Sequence, residues 1–198
     1  MPNTKDVRVG APEQNVTGAI KRAPVGTTLP TLSSISSSGV TLDEAFKGNF
    51  YVSEDGLTLA PSKSVTDIKD WSGSVVRKVL ESFDGTLAWT MISTDADTLG
   101  VAFGDQNVST EEATAGHGNQ VAVAIGADLP EEESFVFLMK DGDARMVIVV
   151  PKGQVTENGE TSFVSNGAVS WPVTLSCYPD ESGKSIYVYT DDGEVESA

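Results

Sequence analysis

The sequence predicts a mainly β protein, a β-sandwich or rolled sheet with one long hairpin and one short flanking helix. Three observations carry this. Apolar and polar residues alternate over several short stretches, as at Val121, Val123 and Ile125. Val and Thr are abundant, and 19 glycines punctuate the chain. No long Leu-, Met- and Ala-rich stretch of helical period is present. At 198 residues the chain is long enough for one domain with a real core, with or without an arm.

Residues 1–40 are rich in Pro, Gly, Thr and Ser and end in TLPTLSSISSSG. Their apolar content is too low to offset the entropy of ordering, so they read as an extended N-terminal arm that orders only on a neighbour. Residues 41–190 read as the β domain. Phe50-Tyr51-Val52 is a strand, Glu54-Asp55-Gly56 a turn, and Leu57-Thr58-Leu59 a second strand; residues 64–70 form the next, which ends at Asp70-Trp71 before a Ser72-Gly73 turn. Residues 74–92 read as a hairpin closed by Asp84-Gly85, with arms of about nine residues, because Asp-Gly suits a type I′ turn. Across that turn Leu80 faces Trp89 and Lys78 faces Met91. One face then holds Leu80, Trp89 and Met91 as core anchors, and the other holds Arg77, Val79, Glu81, Thr86, Ala88 and Thr90.

Thr94-Asp95-Ala96-Asp97 resembles a capping box and opens a helix over 95–103, stopped by Gly104. Strands recur at 120–125, at 134–139 and 144–150 around Asp141-Gly142, at 169–178, and at 185–190. Pro172 demotes its strand to an edge or a bulge. Residues 191–198 form an acidic, mobile tail.

The formal charge is −16, with nine basic and twelve acidic residues in 1–99 but four basic and seventeen acidic in 100–198. So acidic a chain repels phosphate, which argues against ordinary nucleic-acid binding. The first forty residues run the other way, with Lys5, Arg8, Lys21 and Arg22 against two acidic groups. Met1–Gly10 is polar, with no signal-peptide core, and the longest apolar runs, five residues as at Met146–Val150, are too short to cross a membrane. Cys177 is the single cysteine, which fits a reducing, intracellular folding environment and a small buried side chain.

Reactive constellations are missing. His117, the single histidine, sits in a Gly-His-Gly loop without the partners of a zinc site or a nucleophilic triad. Ser182-Gly183-Lys184-Ser185 lacks the first glycine and the βαβ setting of a phosphate loop, and reads as a turn after Pro179-Asp180. Neither a catalytic residue nor a metal or cofactor site is expected, and the chain does not read as an enzyme.

Taken in order, Phe50-Tyr51-Val52-Ser53-Glu54-Asp55-Gly56-Leu57, Asp70-Trp71-Ser72-Gly73, Glu81-Ser82-Phe83-Asp84-Gly85-Thr86-Leu87, Leu99-Gly100-Val101-Ala102-Phe103-Gly104, Trp171-Pro172-Val173 and Tyr178-Pro179-Asp180 resemble the major tail tube proteins of long-tailed phages, especially those of actinobacterial hosts. The resemblance spans about residues 40–190. It implies the tail-tube fold and a virion structural protein made in the host cytoplasm. It implies hexameric rings whose sheets join into one inner barrel, stacked into the conduit for DNA ejection.

Implied partners are other copies, a tape measure protein, and tail terminator and tip proteins, with DNA only in transit and no membrane or cofactor. On that reading Arg77, Glu81, Thr86, Ala88 and Thr90 line the lumen, and Lys5, Arg8, Lys21 and Arg22 form an inter-ring arm laid on an acidic neighbour. A net acidic wall would not retain DNA. Two other readings are a tube protein of a contractile injection or secretion system and a non-enzymatic β-sandwich binding or decoration protein.

Overall fold

A computed structural model describes residues 7–13, 18–36, 38–48 and 50–195. Its strands are β1 (Ile20–Pro24), β2 (Ile35–Ser36), β3 (Gly39–Val40), β4 (Val52–Lys69), β5 (Val75–Met91), β6 (Val108–Glu111), β7 (Gln120–Val123), β8 (Glu133–Asp141), β9 (Ala144–Asn158), β10 (Trp171–Tyr178) and β11 (Tyr187–Asp191). One α-helix, α1 (Ala96–Phe103), lies between β5 and β6. The main sheet runs β1-β8-β9-β10-β5-β4 and is antiparallel throughout; β2-β3 and β6-β7 are separate pairs.

The sheet rolls at β9. With β8 along one edge of this strand, Arg145–Val149 pair β11 and Lys152–Asn158 pair β10 along the other. The β8-β9 half is buried on both faces, which explains the unbroken apolar run at 146–150. Phe135, Phe137, Ile148 and Val150 join Leu87, Trp89, Met91, Val173, Leu175 and the α1 residues Leu99, Val101 and Ala102 in the main core. Val136, Leu138, Val147 and Val149 face a second cluster with Ala23, Ile35 and Phe46.

That second cluster corrects the arm expected at residues 1–40. Ile20–Pro24 form an edge strand on β8, and Leu29, Ile35, Val40, Leu42 and Phe46 cover the outer face of β8-β9. The apolar residues here are few, but they converge on one surface, so the segment gains burial within its own chain.

Asp95, not Thr94, caps α1, its side chain accepting from Thr98 N at 2.8 Å; Gly104, at φ 91°, closes the helix. The hairpin at Asp141-Gly142 forms as expected, with Gly142 at φ 62°. Pro172 lies in an interior strand rather than at an edge. It is tolerated because β9 reaches only as far as Val173, opposite Asn158, and the ladder is bulged between Thr174 and Leu175.

Candidate assembly surface

The expected turn at Asp84-Gly85 does not form. Residues 75–91 are one strand, and the hairpin is β4 against β5, closed at Asp70–Ser74. Gly85 lacks a positive φ; Gly73 has one, 85°. Asp70 organises the turn through its backbone and its carboxylate. Gly73 N and Ser74 O bond its main chain at 3.0 and 2.9 Å, while its Oδ1 accepts from Ser72 Oγ at 2.6 Å and Ser74 N at 2.9 Å. The Ser72 hydroxyl, then the Ser74 amide, hold the Asp70 carboxyl below its ordinary pKa. The same pattern recurs at Asp180-Glu181-Ser182-Gly183-Lys184 between β10 and β11, where Tyr187 Oη also donates to Asp180 and its pKa falls to about 2.

From Ser62 onward in β4, and up to its partner Asp84 in β5, neither face of the hairpin is covered. At about 3.3 Å per residue this two-stranded ladder stands roughly 35 Å clear of the body. An isolated two-stranded ribbon is marginal in water. This one also exposes Val65, Ile68, Trp71, Val75, Val76, Leu80 and Phe83.

Its register carries two bulges, one leaving Glu81 unpaired and one leaving Val76 unpaired. The Glu81 bulge resets the side-chain alternation. Leu80 and Lys78 therefore share a face with Leu87, Trp89 and Met91, while Arg77, Glu81, Thr86, Ala88 and Thr90 share the other. Glu81 accepts from Ser64 Oγ at 3.3 Å and from Thr66 Oγ1 on that second face. Trp89 and Met91 are buried. Leu80 is not a core anchor: it lies beyond the body on the free ladder, 56% exposed.

On the body, the face opposite the core spans β4, β5, β10 and the second half of β9. Strand pairing puts Thr58, Ala60, Thr86, Ala88, Thr90, Pro172, Thr174 and Ser176 on it. Thr156 Oγ1 and Ser176 Oγ bond at 2.7 Å, and Tyr178 Oη donates to Gln154 at 3.1 Å. Lys152 and Glu157 are the charged residues that the β9-β10 register adds, so hydroxyls outnumber charges on this face of a −16 chain. Among the described residues it is bounded by β4, which pairs only β5, and by residues 154–158 of β9, whose one strand partner is β10.

The cations expected in an inter-ring arm are placed otherwise. Lys5 lies outside the described residues. Arg8 is half-buried in a segment running along the end of β8, where Val9 N bonds Asp141 at 2.9 Å. Lys21 is buried, donates to Gly48 O at 2.7 Å, and has its pKa lowered by burial. The Arg22 side chain is 11% exposed and bridges Asp105 at 2.8 Å and Glu133 at 3.0 Å. Burial raises the Glu133 carboxyl pKa, and Arg22 only partly offsets this. Lys21 and Arg22 thus hold β1 into the body.

Among the described residues, no three His, Cys, Asp or Glu side chains converge to hold a metal. Two small cavities lie among the described residues. One of about 200 Å³ lies between Asp55, Thr58, Thr90, Gly159 and Pro172 on the hydroxyl face, and one of about 110 Å³ lies beside Arg22 and Glu133.

The family model for phage tail tube proteins matches residues 2–198. The chain belongs to the phage tail tube protein family. For a tail tube protein the free hairpin and the hydroxyl face are two of the surfaces that the described residues leave open to another chain. No curated protein matches the sequence.

Among solved structures, this tail tube protein is similar to an anti-feeding prophage cap, described as a tube-terminating cap, at 12% identity and TM-score 0.47 over 94% of this chain and 96% of that one. It is also similar to a sheath/tube terminator of an extracellular contractile injection system, at 10% identity and TM-score 0.41 over 85% and 91%. A chain from the virion of a gene transfer agent particle aligns at 12% identity and TM-score 0.39 over 76% and 92%.

Sequence reasoning passed over Trp71, which it placed at a strand end. The available signal was a large aromatic inside a turn, between Asp70 and Ser72-Gly73.

Proposed function

We propose that the chain is the major tail tube subunit of a long-tailed phage, forming hexameric rings that stack into the conduit for DNA ejection. A tape measure protein and terminator and tip proteins are its further partners. The observation that carries this reading is the four-stranded sheet β9-β10-β5-β4, with a buried apolar face, a hydroxyl face and an open edge on either side. Its strands alternate in direction, so a neighbour's β4 laid against residues 154–158 of β9 continues the antiparallel order. Repetition around a ring closes the barrel and removes the exposed edges.

The hydroxyl face then lines the lumen, with Thr86, Ala88 and Thr90 joined by Thr58, Thr156, Thr174 and Ser176, and with Arg77 and Glu81 further along the hairpin. The charged residues on it, Arg77 and Lys152 against Asp55, Glu81 and Glu157, leave this face only weakly acidic. A wall without clustered Lys or Arg gives DNA no counterion-release term by which to be held.

Thr174→Cys tests the reading. Cys177 is buried and its thiol is pushed up to about 12 by desolvation, so it stays silent toward maleimides. A maleimide carried on a bulky polymer should label Thr174→Cys in dispersed subunits but not in assembled tubes. Equal labelling in both states rejects the lumen assignment.

A further inference from the structure

We propose that Trp71 is an aromatic anchor that seats the hairpin tip in an acidic surface of a second copy of this chain. The proposal rests on the tube reading and names the residue that makes the contact. Trp71 is fully exposed, whereas Trp89 and Trp171 are buried. It stands at the end of a ribbon whose neighbouring Ile68, Val75 and Val76 are also exposed, so an apolar cluster surrounds it.

The turn that presents it is already fixed. Asp70 accepts from Ser72 Oγ and Ser74 N, and Gly73 supplies the positive φ the turn needs. A pre-ordered tip loses little conformational freedom on docking, and interface hot spots are enriched in tryptophan.

Charge selects the occupant. Lys69, Arg77 and Lys78 flank the tip against Asp67 and Asp70, with Lys78 bonded to Asp67 at 2.6 Å. Outside residues 60–84 the chain holds nine basic and twenty-five acidic groups. Residues 60–84 themselves hold four basic and four acidic groups, so the apolar tip meets another copy of this acidic chain without the like-charge repulsion that the rest of its surface would bring. A repeating assembly supplies one such partner for every hairpin.

The test uses the purified full chain, followed from dispersed subunits to tubes by electron microscopy and tryptophan fluorescence. Because the other two tryptophans are already buried, a blue shift of emission on assembly reports Trp71. The parent should show the shift. Trp71→Ala should keep the circular dichroism of the parent yet raise the concentration needed for tubes by at least about tenfold. Asp70→Ala, which frees the turn but keeps the ring, should fall between the two, and raised salt should weaken parental assembly.

Parental tubes with unshifted emission, or Trp71→Ala tubes at the parental concentration, overturn the anchor and leave the tube reading standing. A parent that forms no tubes under any condition overturns both. A blue shift on anionic vesicles, with none on tube formation, overturns the proposal and assigns the tip to a lipid surface.

Discussion

Replacing Trp89 and Leu80 separately with Ala distinguishes a core position from a free-ladder position on one face of one strand. Trp89 is 3% exposed; its ring meets Phe137 edge-on at 5.4 Å and Phe135 at 6.1 Å, with Leu57 and Val173 as its cross-strand neighbours. Large-to-small changes at such sites cost about 3–5 kcal/mol. One feature lowers that figure. Trp89 Nε1 is buried without a hydrogen-bond partner, and removing an unpaired buried donor recovers about 1–3 kcal/mol. The expected loss for Trp89→Ala is therefore about 2 kcal/mol. Leu80→Ala, at 56% exposure, should stay within about 0.5 kcal/mol in the dispersed chain. Urea unfolding followed by circular dichroism, below the concentration at which tubes form, measures both. Equal losses, or a Trp89→Ala loss below about 1 kcal/mol, would refute the register and the packing derived from it.

The turn assignment makes Gly73→Ala the costlier of two glycine changes, at about 1–2 kcal/mol for forcing a side chain into positive φ. Gly85→Ala should cost less than about 1 kcal/mol, since φ is not positive there and the added Cβ meets side-chain ends, Ile186 Cδ1 at 2.8 Å and the edge of the exposed Phe83 ring at 3.3 and 3.4 Å; equal losses in urea unfolding would count against the turn at Asp70–Ser74. Arg22→Ala leaves Glu133 half-enclosed without its cation and should cost about 3 kcal/mol at neutral pH. The Glu133 pKa is raised in the folded state, so its favourable contribution is present at low pH and is lost as pH rises through the folded value. The Arg22→Ala deficit should therefore shrink as pH falls toward the ordinary glutamate range of about 4–5, and a deficit that grows on acidification would refute the assignment.

Much of the fold was legible because local signals agreed with the tertiary outcome. The alternating strands, the capped helix before Gly104 and the hairpin at Asp141-Gly142 are examples. The Asp84-Gly85 signal failed because its neighbours pair onward: Gly85 opposes both Pro61 and Cys177, and these long ladders override a two-residue turn preference. The face split at Trp89 survived that error through the bulge at Glu81, which shifts the alternation by one residue, just as the false turn would have done. Lys21 and Arg22 looked like surface charges because the partners of Arg22, Asp105 and Glu133, lie 83 and 111 residues away. No local pattern reports a contact at that separation. Trp71 was visible as a residue but not as a surface. The Ser72-Gly73 turn beside it was legible, but the false turn at Asp84-Gly85 folded the ribbon back and hid its length.

The most direct measurement is a cryo-EM reconstruction of tubes assembled from the full chain. Six copies per ring are expected, with Thr86, Thr90, Thr174 and Ser176 turned to an open axis, β4 of one copy paired to residues 154–158 of β9 in the next, and the hairpin laid on an adjoining copy. A reconstruction with those hydroxyls on the outer surface, or with β4 left unpaired between subunits, would contradict the proposed tube.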